Sequence, residues 1–235
     1  MIDLTLGQPG RGRRRPVGGR LLALIGIAGA LAVAGAPVAY MVWPQRVPVA
    51  VGAPALPITI GGVTFVVPQA AVRVPLQRRP GTQSRVDLVF AWPSLRPPAP
   101  VAKGFPDTPA GALQRLFVTI AAGDGTLSPT ERLKVIYPRY TADTEPVGRN
   151  GLVVRNFRAG TPYQGEQLIY DPAAPERFLL RCTHAVSSTP GICLHERRIG
   201  GADVTARFPR DWLGDWRDTA TRIERLMAQL RPANG

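Results

Sequence analysis

The sequence predicts an α+β fold: an exported antiparallel β-sheet domain with a long C-terminal amphipathic helix packed on the sheet, behind an N-terminal transmembrane helix. Three observations carry this reading. Residues 21–43 contain no charged side chain, a run long enough at ~1.5 Å per residue to cross a hydrocarbon core of about 30 Å. Between residues 58 and 208, short alternating or β-branched apolar segments recur, divided by Gly- and Pro-rich turns. From Pro209 to Leu230 the apolar residues then switch to helical spacing.

The N-terminal elements follow from charge. Arg11, Arg13, Arg14, Arg15 and Arg20 precede the apolar run, and only Arg46 follows it before Arg73. The positive-inside rule therefore makes residues 1–20 a cytoplasmic basic tail and residues 21–43 a transmembrane signal anchor, with Tyr40 and Trp43 at the interface. A cleaved signal peptide is the competing reading, because Ala32-Val33-Ala34 fits the small-x-small cleavage rule. Both readings export the C-terminal part of the chain. Residues 44–57 hold four prolines and no periodicity, so they read as a Pro-rich stalk, and residues 58–235 as a periplasmic α+β domain. The bacterial inner membrane is thus the expected location, crossed once.

In the domain, Ile58–Ile60 and Val63–Val67 flank Gly61-Gly62, the signature of a tight hairpin. Ser84–Trp92 alternates Val86, Leu88, Phe90 and Trp92 against Asp87, a half-buried strand. Residues 93–109 are Pro-rich, either a loop within one domain or a subdomain joint, and Arg115–Ala121 is again strand-like. Ser128-Pro129-Thr130-Glu131 is a capping box with proline at the first helical position, predicting a short helix that ends by Tyr137. Further strands are expected at residues 152–157, 166–170, 177–183, 192–199 and 203–208, with Gly200-Gly201 closing a second hairpin. The last helix places Trp212, Leu213, Trp216, Ala220, Ile223, Leu226, Met227 and Leu230 on one face, with Asp211, Asp215 and Asp218 early and arginines later, which complements its dipole.

Composition narrows the function classes. The 235 residues carry 29 Lys+Arg against 16 Asp+Glu, a net charge of +13, and only 2 Cys and 2 His. A zinc ribbon, an iron-sulfur site or a multi-histidine centre cannot be assembled from that set within one chain, and no cofactor is expected. Apart from Lys103 and Lys134 the cations are arginines, spread along the chain as in a GC-rich bacterial proteome. That dispersion lacks the basic stripe with interleaved aromatics of a nucleic-acid binder.

Cys182 and Cys193 fall on neighbouring predicted strands, and an oxidising compartment predicts a structural disulfide between them. His184 and His195 each stand two residues from a cysteine, so a hairpin could bring them together with Glu196 or Asp203, although Glu196 must face away from His195. Residues 123–131 resemble the second half of an EF-hand loop, but the first ligand positions fall on Ile120 and Ala122 and the capping box already explains Ser128 and Glu131. No P-loop and no G-x-S-x-G motif occurs. Arg73, Arg78, Arg79 and Arg85 surround Pro80-Gly81, giving a basic turn suited to an acidic partner such as lipid phosphates, lipopolysaccharide or an acidic protein.

Leu76 to Gly81, Arg85 to Leu88, Trp92-Pro93, the two cysteines, Arg207-Phe208-Pro209 and Leu213 to Trp216 together resemble a group of uncharacterised single-pass envelope proteins of alphaproteobacteria. The resemblance implies the topology and a single exported domain, and no activity. The sequence therefore points to a membrane-anchored periplasmic accessory or interaction module that meets an envelope protein or an anionic envelope polymer. A periplasmic enzyme acting on an envelope component is the alternative.

Overall fold

The computed structural model describes residues 55–98, 114–142, 148, 150–184 and 190–231. The basic tail, the anchor at 21–43, most of the stalk and much of the Pro-rich stretch at 93–109 lie outside the described residues. Among the described residues no helix is long and apolar enough to cross a membrane.

Two strands, β1 (Ala55–Ile60) and β2 (Val63–Pro68), form the first hairpin, with Ile60 opposite Val63 across Gly61-Gly62. The strand takes in the last three residues of the expected stalk, 55–57, and so runs through Pro57. Proline is tolerated there because β3 (Gly81–Thr82), which pairs parallel to β1, starts only at the level of Ile58, leaving that edge of Pro57 unpaired. The stretch joining β2 to β3 is an arm with two 3-10 turns, Gln69–Ala71 and Pro75–Gln77.

The main sheet has seven strands: β4 (Arg85–Ala91), β5 (Arg115–Ala122), β6 (Val153–Asn156), β7 (Glu166–Tyr170), β8 (Leu179–Thr183), β9 (Ile192–Ile199) and β10 (Ala202–Pro209). Their order is β4-β5-β10-β9-β8-β7-β6, with antiparallel pairing throughout. The meander expected from the turns holds from β6 to β10. Its last strand then inserts beside β5, which makes β10 a central strand.

Period-two alternation sorts the two faces. Val86, Leu88 and Phe90 of β4, Leu116, Val118 and Ile120 of β5, and Val204, Ala206 and Phe208 of β10 are all buried on one face. They share a single apolar cluster with Ile58, Ile60, Phe65 and Val67 of the hairpin and with Trp216, Ile223, Leu226, Met227 and Leu230 of the C-terminal helix α3 (Trp216–Gln229). The α+β architecture is therefore a sheet whose inner face is covered by a hairpin and a helix. The expected helix over 209–230 starts later than its periodicity suggests. Residues Arg210–Asp215 form a 3-10 turn containing Gly214, and the α-helix begins at Trp216 behind Asp215, whose carboxylate accepts from the Asp218 amide.

On the outer face, α1 (Pro129–Val135) opens with the predicted capping box, Ser128 and Glu131 satisfying each other's amides. The helical path does not end before Pro138. After Ile136 it resumes as α2 (Tyr137–Tyr140), where Pro138 sits in the first turn and its missing N–H is not needed. Tyr137, Phe157, Leu168 and Leu179 make a second, smaller apolar cluster beneath these helices.

Candidate anion-recognition surface

Strand alternation that buries one set of residues must project the other set outward. On the β4-β5-β10 part of the outer face this gives Arg85, Asp87 and Val89, then Arg115, Phe117 and Thr119, then Asp203, Thr205 and Arg207. Phe117 stands opposite Val89 on one side and Arg207 on the other. Its ring is the centre of the site: the guanidinium carbons of Arg73 and Arg207 lie 5.0 and 5.1 Å from its centroid. Both arginine side chains belong to exposed residues, and Phe117 is half-buried. Cation-π contacts of this kind contribute about 0.5–1 kcal/mol each at exposed sites.

Arg73 reaches the ring because the arm is stitched to β4. Its amide donates to the Asp87 carbonyl at 2.8 Å, and Val72 bridges Leu88. The Gln77 side chain both accepts from the Asp87 amide and donates to its carboxylate. Asp87 also accepts from Thr119 and from a forked Arg85. Those donors, led by Arg85, hold the Asp87 carboxyl down at about 2. The acid nearest the arm is thus already committed to Arg85.

The four arginines expected to form one basic turn are accordingly divided. Arg73 stacks on Phe117; Arg78 turns back to donate to the Val72 carbonyl at 3.0 Å; Arg79 is exposed on the arm; Arg85 is forked onto Asp87. What joins Arg73 is Arg207, more than a hundred residues away in sequence. The alternation in RLFVTIA signalled that Phe117 faces outward, but the pairing of β5 with β10 carries no local signal.

The remaining candidate groups are engaged elsewhere. Cys182 and Cys193 are directly opposed on β8 and β9, buried and bonded as a disulfide. The histidines do not converge. His195 pairs with Leu180, is buried, and its Nε2 meets the Arg177 carbonyl at 3.0 Å, whereas His184 is exposed beyond the end of β8. Burial pushes the His195 imidazole below its usual pKa. Glu196 does face away from His195, toward Arg132 and Arg181, and Arg181 also binds Glu166 and lies over Tyr163. Beside that network burial pushes Tyr137 up to about 12. It stitches α1 to the sheet. In the loop resembling an EF-hand, Asp124 accepts from the amide and hydroxyl of Thr126. Among the described residues no three of His, Cys, Asp and Glu stand close enough to hold a metal ion. A shallow groove at the start of α3 is lined by Asn150, Gly214, Asp215, Trp216 and Arg217, and its acid is the helix cap.

No family model matches the sequence, and no curated protein does. Among solved structures, the chain is similar to Smlt3025, an immunity protein of the Stenotrophomonas maltophilia type IV secretion system. The TM-score is 0.52 at 16% identity, covering 76% of this chain and 94% of that one. A weaker likeness, TM-score 0.42 at 10% identity over 75% of this chain and 92% of the other, is to the iron-regulated outer membrane lipoprotein FrpD of Neisseria meningitidis. The first likeness identifies a shared fold.

Proposed function

We propose that this chain is an accessory module of the bacterial envelope, anchored in the inner membrane by residues 21–43, with its domain exported to the periplasm. It acts by binding an acidic envelope protein on the open half of its sheet. The observation that carries the reading is Phe117 flanked by Arg73 and Arg207: two guanidinium groups held on one aromatic ring, with the neighbouring carboxylate already occupied by Arg85. A carboxylate-rich segment meets both charge and planar hydrogen-bond donors there. Use of this fold by a secretion-system immunity protein supports a binding role over a catalytic one.

The test places a photo-crosslinking residue at Thr205, beside Arg207 on the outer face, in the full chain in intact cells. A discrete adduct whose crosslinked peptide is rich in Asp and Glu is expected, and Arg207→Glu should abolish it. Adducts spread over many proteins, or an adduct indifferent to Arg207→Glu, would overturn the site. Topology has its own readout: a reporter active only outside the cytoplasm, fused after Gly235, should be active.

A further inference from the structure

The arm between β2 and β3 ends in an apolar tip that the domain holds out rather than buries. Leu76 is 85% exposed and Val74 36% exposed, on and beside the 3-10 turn Pro75–Gln77. The turn is braced. The Gln77 amide donates to the Val74 carbonyl and that of Arg78 to the Pro75 carbonyl, Gln77 is tied to Asp87, and Gln83 donates to the Gln77 and Arg79 carbonyls. Arg73, Arg78 and Arg79 flank it, and residues 69–84 contain no acid.

From this geometry we infer that Val74 and Leu76 are a membrane-touching tip, inserted among the headgroups of an anionic leaflet with Arg79 beside them on the phosphates. The inference rests on the anchored, exported reading proposed above and adds the surface that meets lipid. An exposed leucine with arginines around it combines the two attractions that hold proteins at an anionic interface, apolar burial and headgroup charge. Position agrees: the arm leaves β2 at Pro68, opposite Ala55, and returns beside Ile58, so both its ends are pinned to β1, the strand by which the chain enters the domain. Residues 44–54 separate that strand from the apolar run and span at most about 40 Å when fully extended.

The test uses the full chain with methyl-labelled leucines and lipid nanodiscs carrying a gadolinium-chelating headgroup. In discs of phosphatidylglycerol and phosphatidylcholine in equal parts, the Leu76 methyl signals should be lost, while Leu127, 41% exposed on the loop after β5, keeps its signals. Pure phosphatidylcholine discs, high salt or Arg79→Glu should restore Leu76. If Leu76 is broadened no more than Leu127 in anionic discs, the tip does not meet lipid and the inference is overturned. A chain that elutes apart from phosphatidylcholine discs would sink the anchor reading alone. Loss of Leu76 signals on mixing that chain with anionic discs would still support the tip.

Discussion

Gly61 and Gly201, each in the two-residue turn of a different hairpin, are pressed together backbone to backbone: a Cβ built on Gly61 would lie 2.0 Å from the Gly201 carbonyl oxygen. The same carbonyl accepts from the Gly123 amide at 2.7 Å, so the turns of β1–β2 and β9–β10 and the end of β5 meet at one point. Both Gly61 and Gly62 have positive φ, but only Gly61 lacks space, since nothing lies within 4 Å of a Cβ on Gly62. Gly62→Ala should therefore cost only left-handed strain, about 1 kcal/mol. Gly61→Ala adds a clash with rigid backbone and should cost at least about 3 kcal/mol. Urea unfolding of the two variants compares them directly, and equal losses would refute the close approach.

The disulfide gives a second expectation. Cys182 and Cys193 are separated by 11 residues and face each other across β8 and β9. Closing a loop of that size stabilises the fold by about 3 kcal/mol in the chain-entropy model. The double change to Ala should lower the unfolding midpoint accordingly and leave the Thr205 crosslink intact, because the cysteines lie on the buried face and Arg207 on the other. Loss of the crosslink in a variant that still folds would tie the bridge to binding.

His195 sets an acid dependence. Its pKa is lowered in the folded state, chiefly by burial, so the unfolded chain binds the extra proton. The neutral imidazole's contribution is complete above the unfolded pKa of about 6.5 and is lost as pH falls below it toward the lowered folded pKa, so stability should drop over that window. The groups around it are the Arg177 carbonyl, Phe178, Arg197, Glu196 and Glu224. His195→Gln keeps a donor for the Arg177 carbonyl while removing the titration. The slope in that window should flatten in chemical denaturation, and an unchanged slope would assign it to other groups. Asp87, held at about 2, acts at lower pH: its contribution is present above the ordinary carboxylate range and is lost as pH falls toward 2.

Much of this fold is legible in the chain because its signals are local. Alternation marked β4 through Val86, Leu88 and Phe90; the Gly-Gly pairs marked both tight hairpins; Ser128 and Glu131 marked α1; two cysteines on neighbouring expected strands marked the bridge. What stayed hidden depends on register or on short elements. The two-residue β3 has no periodicity to detect. The 3-10 start at 210–215 is masked by Trp212 and Leu213, which fit a helical pattern that Gly214 interrupts. Trp212 consequently stacks on Trp92 at 4.0 Å and on Phe208 at 5.5 Å instead of joining Trp216 on the helix face. The Arg73–Phe117–Arg207 cluster required knowing that β10 lies beside β5. A run of arginines near a Pro-Gly turn suggested a basic surface without showing that Asp87 takes Arg85 out of it.

The C-terminal helix should prove inseparable from the sheet. Trp216 is 7% exposed, stacks on Phe178 at 5.4 Å, and donates its indole N–H to the Asn150 carbonyl at 2.9 Å. At the other end of α3, the Leu230 carbonyl accepts from the Val66 amide at 2.7 Å, so the helix also closes the free edge of β2. Trp216→Ala empties the largest side chain at the helix start and should cost about 3–5 kcal/mol, a large share of the stability of a domain this size. Trp216→Phe keeps the ring and loses the N–H, leaving the Asn150 carbonyl without that donor, and should cost about 1–2 kcal/mol. Deletion of residues 210–235 exposes Ile58, Phe65 and the inner face together, and should abolish cooperative unfolding in calorimetry. A deleted chain that still melts cooperatively would mean that the sheet and hairpin suffice, and that the helix is retained for a partner.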